Sequence, residues 1–507
     1  MLKYNLLFLS LLSSLSASLF AAQQDPLLER CQSLTSLKFD DAKVVKTEFI
    51  TDQFIPPTEL ADTLRGAKSN VIANLPQICR VQLTIEPKNN IEVWLPMAWN
   101  HRLQAIGGGG FAGFIPFDKL AVAARDGYVA VTTDTGHAGS LMAGNFVLKD
   151  AQLQAELITD FAYRSVHEMT VKAKQVIEAF YGQGPSYSYW NGCSTGGRQG
   201  LMEAQRFPND YDGLYIVAPA IQWDKFVPSE LWPQVVMLEE LGQPIDPVKL
   251  TKVREAIIDL VDEQDGIKDG LVNDPSAVVI NDAFLQQIGL NDAEIIALRK
   301  IWQGPTNQTG QSLWFGLETT APLDALAGKD PFLIAVDYLK YWIKQDINFD
   351  WKTLGYEGFE NYFNESVEVF RPIMGTDNAD LSQFKKSGGK MIIWHGWDDR
   401  LIAPKGTIHY YNHIVKLMGD QRNTDEFVRL YMAPGVDHCN GGSGADTING
   451  FEALVNWVEK HQAPTTLIAQ KIEKDQVVLQ RPICQYPQQT VYKGDGDTNV
   501  PTNFECK

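Results

Sequence analysis

The stretch "SYSYWNGCSTGGRQGLMEAQRFP", Ser186 to Pro208, constrains the fold more than any other part of the chain. Its first half is rich in aromatic residues and reads as a buried strand, and its second half carries a helical pattern. Between them Gly192, Ser194 and Gly196 form a G-x-S-x-G turn. The motif alone is common in long chains, but strand, sharp turn and helix in this order define a nucleophile elbow. Small residues let the turn take strained backbone angles, and the serine oxygen stands exposed above the end of a sheet. The same turn puts Cys193 directly before Ser194, so either side chain is a candidate nucleophile.

The elbow implies a sheet, and other segments supply one. Ile91–Pro96, Arg102–Gly107, Tyr128–Asp134, Gly213–Pro219, Lys390–Gly396 and Phe427–Pro434 are short apolar runs that end at Gly, Pro or Asp. Ala155–Gly182 lies between two of them, with apolar residues at helical spacing and a closing glycine. Strands alternating with helices predict an α/β fold, a mostly parallel sheet with helices on both faces. The alternation lapses over residues 222–385, which read as an inserted domain. The catalytic domain is then expected from residues 23–221 and 386–507 together.

The formal net charge of −18 argues against nucleic acid or an anionic membrane as the main partner. Residues 1–22, with Lys3, an apolar run and small residues near Ala21 and Ala22, read as a secretory signal peptide. No later segment is long and apolar enough to span a bilayer. Six cysteines behind a signal peptide predict disulfides, and hence a secreted or periplasmic protein.

A serine nucleophile needs a base, and in this architecture the order is serine, acid, histidine. Of His395, His409, His413, His438 and His461, His438 is the best candidate. It lies in "YMAPGVDHCNGG", a turn-rich loop after the last good strand. His409 and His413 fall within a helical pattern, and His461 near a helix end. His438 precedes Cys439 as Ser194 follows Cys193. A Cys193–Cys439 disulfide would fix base against nucleophile, and the loop entropy removed from the unfolded chain suggests about 5 kcal/mol. Cys193 is therefore read as the staple and Ser194 as the nucleophile. Asp398 and Asp399, in "IIWHGWDDRLIAP", are the candidate acids, and the sequence does not choose between them. For the oxyanion, Thr195 would supply one backbone N–H, and a glycine of "AIGGGGFAG" the other, with Gly108 and Gly109 the candidates.

These residues resemble the tannase and feruloyl esterase family of α/β-hydrolases. The resemblance rests on "GGGGFAG", "TTDTGH", "NGCSTGGRQGLMEAQRFPNDYDG", "HGWDDRLIAP", "DHC" and the tail "RPICQYPQ" to "NFEC", and spans nearly the whole mature chain. It implies an inserted lid domain and Asp399 as the acid. It also implies the pairs Cys484–Cys506 and Cys31–Cys79. The family's structural calcium site would fall on "DEQDGIKDGLV", with the carboxylates of Asp262, Asp265 and Asp269 and the carbonyls of Ile267 and Leu271. Hard oxygen ligands at this density suit Ca²⁺. Many relatives bracket that loop with a disulfide, whereas here Val261 stands where a cysteine would precede it.

The reading is a secreted serine esterase acting on small esters of aromatic acids: hydroxycinnamates, gallates or terephthalate monoesters, as the resemblance implies. Trp223, Trp397 and Ile402 are candidate walls for the ring. The rivals are a non-catalytic binding protein on the same fold, and a lipase or peptidase with the same triad.

Overall fold

In the computed structural model, which describes residues 26–57, 71–86 and 88–507, neighbouring residues of the central strands face opposite ways. Met391 and Ile393 join one apolar core, while Ile392 and Trp394 join another. Leu214 and Ile216 part in the same way from Tyr215 and Val217. Side chains alternate across a strand, so a strand with no polar face must be covered on both sides.

Nine strands form this sheet: β1 (Ala42–Phe54), β2 (Ile72–Ile85), β3 (Asn89–Pro96), β4 (Arg102–Ile106), β5 (Val129–Thr133), β6 (Tyr187–Cys193), β7 (Gly213–Val217), β8 (Lys390–Gly396) and β9 (Val428–Ala433). Their spatial order is β1-β2-β3-β5-β4-β6-β7-β8-β9. From β5 to β9 all pairings are parallel, whereas β1, β2, β3 and β5 pair antiparallel. Helices Ser165–Tyr181, Thr195–Arg206 and Pro404–Leu417 cover one face, and Phe117–Arg125 and Gly450–Lys460 the other. The segment expected as one helix over Ala155–Gly182 is helical with a π-turn at Asp160–Arg164, and it ends at Gly182 with φ 78°. The proposed signal peptide lies outside the described residues.

The chain runs from β4 to β5 on one side, then crosses to β6 on the other side of β4. The carboxyl ends of β4 and β6 thus flank a switch point, where open parallel sheets leave a crevice for ligands. Between β7 and β8 the chain is helical. Its helices Trp223–Ser229, Trp232–Leu241, Asp292–Gln303 and Gly355–Met374 share a core with Phe111 and Phe161 of the sheet-bearing part. Beyond β9, strands Thr466–Glu473 and Gln476–Cys484 form a hairpin, and the chain closes with the pair Thr490–Tyr492 and Phe504–Cys506.

Candidate active site

Ser194 sits between β6 and the helix Thr195–Arg206 at φ 60° and ψ −123°, a conformation that L-residues rarely adopt. The turn is feasible only because its neighbours are small. A Cβ at Gly192 would meet the carbonyl oxygen of Gly196 at 2.3 Å, and one at Gly107 would meet the Cα of Gly196 at 2.5 Å. The glycine loop after β4 is thereby pressed against the elbow. Thr195 Oγ1 donates to the carbonyl of Gly110 at 2.6 Å, and Gly108 N–H donates to Gln199 Oε1 at 3.0 Å. That last bond occupies Gly108, one of the two glycines that were candidates for the second oxyanion donor. Gly109 N–H has no hydrogen-bond partner among the described residues. Thr195 is the first residue of its helix, where N–H groups lack helical acceptors and the dipole is positive.

His438 stands on the loop after β9, its side chain 17% exposed. Its Nδ1 lies 2.7 Å from Oδ2 of Asp399, on the loop after β8. A carboxylate only accepts, so Nδ1 donates and Nε2 is left as the basic nitrogen. Asp399 is fully buried and held from several sides. Its Oδ1 accepts the N–H groups of Leu401 and Ile402, both at 2.9 Å. Its Oδ2 also takes His395 Nε2 at 2.9 Å, and His395 Nδ1 meets the Thr407 hydroxyl at 2.9 Å. Burial raises the Asp399 carboxyl, but the His438 charge and the two imidazole hydrogen bonds outweigh it and hold the group well below the ordinary range. Burial lowers His438, and the Asp399 charge and hydrogen bond more than reverse this, so its pKa is raised above 6.5. Asp398 turns elsewhere, accepting from Thr320 Oγ1 at 2.6 Å and from Arg254 at 2.8 Å. Asp437 binds the Arg400 guanidinium and caps His438 N–H at 2.7 Å.

Three disulfides are formed. Cys193–Cys439 joins the elbow to the histidine loop with Cα atoms 6.0 Å apart. Cys31–Cys79 and Cys484–Cys506 are the others. With its sulfur bonded, Cys193 has no thiolate to offer.

Ser194, Thr195, Gly108, Gly109, His438 and the Cys193–Cys439 bridge line one cleft of about 1190 Å³. Its walls are largely apolar, with Phe114, Leu141, Trp223, Phe226 and Ile402 among them. Trp397 is not there. It is 4% exposed and packs into the core behind the sheet, against the expectation that it would face the ring.

The acidic loop folds on its own carboxylates. Asp262 Oδ1 accepts N–H groups of Asp269 at 3.2 Å and Gly270 at 2.8 Å, and Asp265 Oδ1 accepts Ile267 N–H at 3.0 Å. Burial, with the charges of Asp269 and Asp262, pushes the Asp265 carboxyl up to about 6 against the Ile267 hydrogen bond. Arg481 reaches Asp269 Oδ2 at 2.7 Å. Crowded carboxylates beside backbone carbonyls, with no nitrogen or sulfur donor among Asp262, Ile267 and their neighbours in the set, have the chemistry of a hard-cation site. They are nonetheless spread. Among the described residues, the one trio of acidic, His or Cys ligand atoms within 4.8 Å of one another is His167, Glu203 and Asp210, at the far end of the helix that follows Ser194. There Lys174 Nζ already stands 2.5 Å from the Asp210 carbonyl and supplies positive charge.

A mostly parallel sheet covered on both faces, with a strained serine after its central strand and an Asp–His pair on the last two loops, defines the α/β-hydrolase class. A sequence model for tannase and feruloyl esterase matches residues 69–507. A probable feruloyl esterase of Arthroderma benhamiae is 38% identical over 463 residues, 85% of each chain. The crystal structure of feruloyl esterase B from Aspergillus oryzae superposes with a TM-score of 0.83 at 27% identity, covering 95% of this chain and all of that one. The tannin acyl hydrolase of Aspergillus niger, at 21% identity and a TM-score of 0.79, shares the fold. The chain belongs to the tannase and feruloyl esterase family and is a carboxylic-ester hydrolase.

Two further residues, neither marked by the motifs, support this site. Gln199, one helical turn past the elbow, anchors the glycine loop. His395, four residues before Asp399, supports the acid rather than acting as the base, and that spacing is the signal for the contact they make.

Proposed function

We propose that the protein is an exported serine esterase that cleaves small esters of aromatic acids through Ser194, His438 and Asp399. The observation that carries this is the 2.7 Å contact between Asp399 and His438 Nδ1, on a loop that a disulfide ties to the strained Ser194. His438 Nε2 takes the Ser194 proton as Oγ attacks the ester carbonyl, and Asp399 orients the ring and stabilises its positive charge. Thr195 N–H and Gly109 N–H meet the oxyanion, and Gln199 holds the loop through Gly108. His438 returns the proton to the leaving alcohol. Water, activated by the same histidine, then releases the acid from the acyl-enzyme. The apolar, aromatic-lined cleft supports a planar acyl group.

Asp262, Asp265 and Asp269, with the carbonyls of Ile267 and Leu271, would hold a structural Ca²⁺, which would supply positive charge to a crowded acidic loop and no step of the reaction. The signal-peptide pattern read in residues 1–22 and the three disulfides support export to an oxidising compartment. No helix among the described residues is long and apolar enough to cross a membrane.

The test is hydrolysis of methyl ferulate, methyl gallate, mono(2-hydroxyethyl) terephthalate and a long-chain p-nitrophenyl ester, with calcium present. Wild type turns over aromatic esters, and Ser194→Ala loses about 10,000-fold or more in kcat. Activity that survives Ser194→Ala, or a preference for the long acyl chain, sinks the proposal.

A further inference from the structure

The helix Trp223–Ser229 leaves the end of β7 and sends three side chains to the cleft: Trp223, Phe226 and, just past the helix, Glu230. Spacings of three and four residues put them on one face. Glu230 N–H still donates to the carbonyl of Phe226 at 3.1 Å, so helical geometry reaches it. Glu230 is 4% exposed, and its Oε2 is sealed from solvent without a hydrogen-bond partner. Trp223 Nε1 is likewise buried and unpartnered. So is the Tyr362 hydroxyl, which burial raises first and to which the Glu230 charge adds.

Buried polar atoms are almost always paired, and each exception calls for an explanation. Here two such atoms belong to residues on one wall of the substrate cleft. Among the described residues, the other charged groups lining the cleft are Asp118 and Lys119, both exposed, His438, and Asp446, whose Oδ2 accepts Gly441 N–H at 2.7 Å. No buried lysine or arginine lines the cleft among the described residues. Burial, and then the charge of Asp399, push the Glu230 carboxyl well above its ordinary range.

We propose that Glu230 determines specificity for the acyl ring: its carboxyl meets a phenolic hydroxyl, so that the enzyme selects phenolic acyl groups over rings bearing a carboxylate. This rests on the esterase reading above. A ring hydroxyl both donates and accepts, and so can pair with the Glu230 carboxyl in either protonation state. A ring carboxylate would be desolvated beside an acid, with no buried cation among the described residues to pair with it. A site built to bond a hydroxyl rejects the analogue that lacks it, because its own polar groups are left unpaired.

The experiment measures kcat/KM for methyl cinnamate, the 3- and 4-hydroxycinnamates, methyl 4-methoxycinnamate and mono(2-hydroxyethyl) terephthalate, on wild type, Glu230→Gln, Glu230→Leu and Tyr362→Phe. Wild type is expected to favour the better hydroxycinnamate over the cinnamate and the methoxy ester by about tenfold or more, with the terephthalate slowest. Glu230→Leu brings the hydroxy-to-unsubstituted ratio close to one, and Glu230→Gln, which still accepts a hydrogen bond, lowers it at least about threefold. Tyr362→Phe leaves the ratio standing. A wild-type ratio near one, a terephthalate preference, or a ratio unchanged in the glutamine variant overturns the assignment. The glutamine arm decides if the leucine variant does not fold. Failure of wild type to hydrolyse all of these esters overturns the esterase reading itself. Hydrolysis without hydroxyl preference overturns only the role of Glu230.

Discussion

The loop that carries His438 and the acidic loop over residues 262–271 touch, yet they are held by opposite means. Leu271 packs on the backbone of Gly435, where an added Cβ would stand 2.5 Å from its Cδ2. The histidine loop is covalently closed through Cys439, and its acid partner is buried under hydrogen bonds. The acidic loop depends on its own backbone N–H groups, on Arg481, and on Asn273, whose Nδ2 bridges Asp265 and the Thr490 carbonyl. A reaction that fails when its base moves by an ångström needs rigid geometry. A loop of like charges needs counter-charge, which an ion in solution can supply.

The largest expected break between the two lies in turnover. Asp399→Asn keeps the shape of the side chain but removes the charge that stabilises the His438 imidazolium. Its kcat is expected to fall about 10,000-fold, by steady-state kinetics on the preferred ester. Asp265→Asn, in the neighbouring loop, touches none of the reacting groups, and its main effect falls on stability. Equal losses in both variants would mean that the loops act as one unit.

Next comes the covalent staple. Removing both sulfurs with Cys193→Ser and Cys439→Ser is expected to cost about 2–5 kcal/mol in urea unfolding. It also lowers kcat, because elbow and base are no longer tied. A double variant with full activity would reduce the disulfide to a stability device. For the acidic loop the expected loss is smaller and depends on concentration. Calcium at about a hundredfold over its Kd adds about 2.7 kcal/mol, read as a rise in Tm that a chelator reverses. The rise is absent in an Asp262→Asn, Asp265→Asn double variant. A Tm indifferent to calcium in wild type removes the metal from the account.

The two loops were also legible to different degrees. Strands β5, β7 and β8 carry continuous apolar runs at Val129–Val131, Leu214–Val217 and Met391–Trp394 because both of their faces are buried, and such runs are visible without a structure. β1 and β2 form the antiparallel edge. β1, "AKVVKTEFITDQF", is largely exposed and mixes charge with apolar residues, so its pattern is weak. The elbow was readable because its chemistry needs small residues at fixed spacing. The choice between Asp398 and Asp399 was not, because adjacent residues on a loop point apart for reasons that lie elsewhere in the chain. Here those reasons are Thr320 and Arg254 on one side and His395 and His438 on the other. Trp397 failed as a wall residue for the same reason, since sequence does not tell which side of a loop meets the core. Glu230 is not legible in the sequence, because an acid in a helical pattern reads as solvated and its burial comes from packing that no local pattern records.

The finest test of how tightly the histidine loop is tuned is a pH profile. The basic form of His438 does the work, so kcat/KM should rise with pH through its folded pKa, which lies above 6.5, and then level off. A raised histidine pKa gives stability that is full below the unfolded value near 6.5 and is lost as pH rises through the folded value. The enzyme is therefore most active where this stabilisation has been surrendered. The lowered Asp399 acts in the opposite window. Its contribution holds above about 3.8 and fades as pH falls toward its folded value. His395 donates to the same oxygen of Asp399 that His438 uses, and so competes for its electron density. His395→Leu removes that competitor. With that hydrogen bond gone, Asp399 Oδ2 holds the His438 imidazolium more strongly, and the activity midpoint moves up. His395→Gln, which can still donate, should leave the midpoint near wild type. A leucine variant that loses stability but keeps the wild-type midpoint would make His395 a filler of space, and the tuning of His438 would then rest on Asp399 and Asp437 alone.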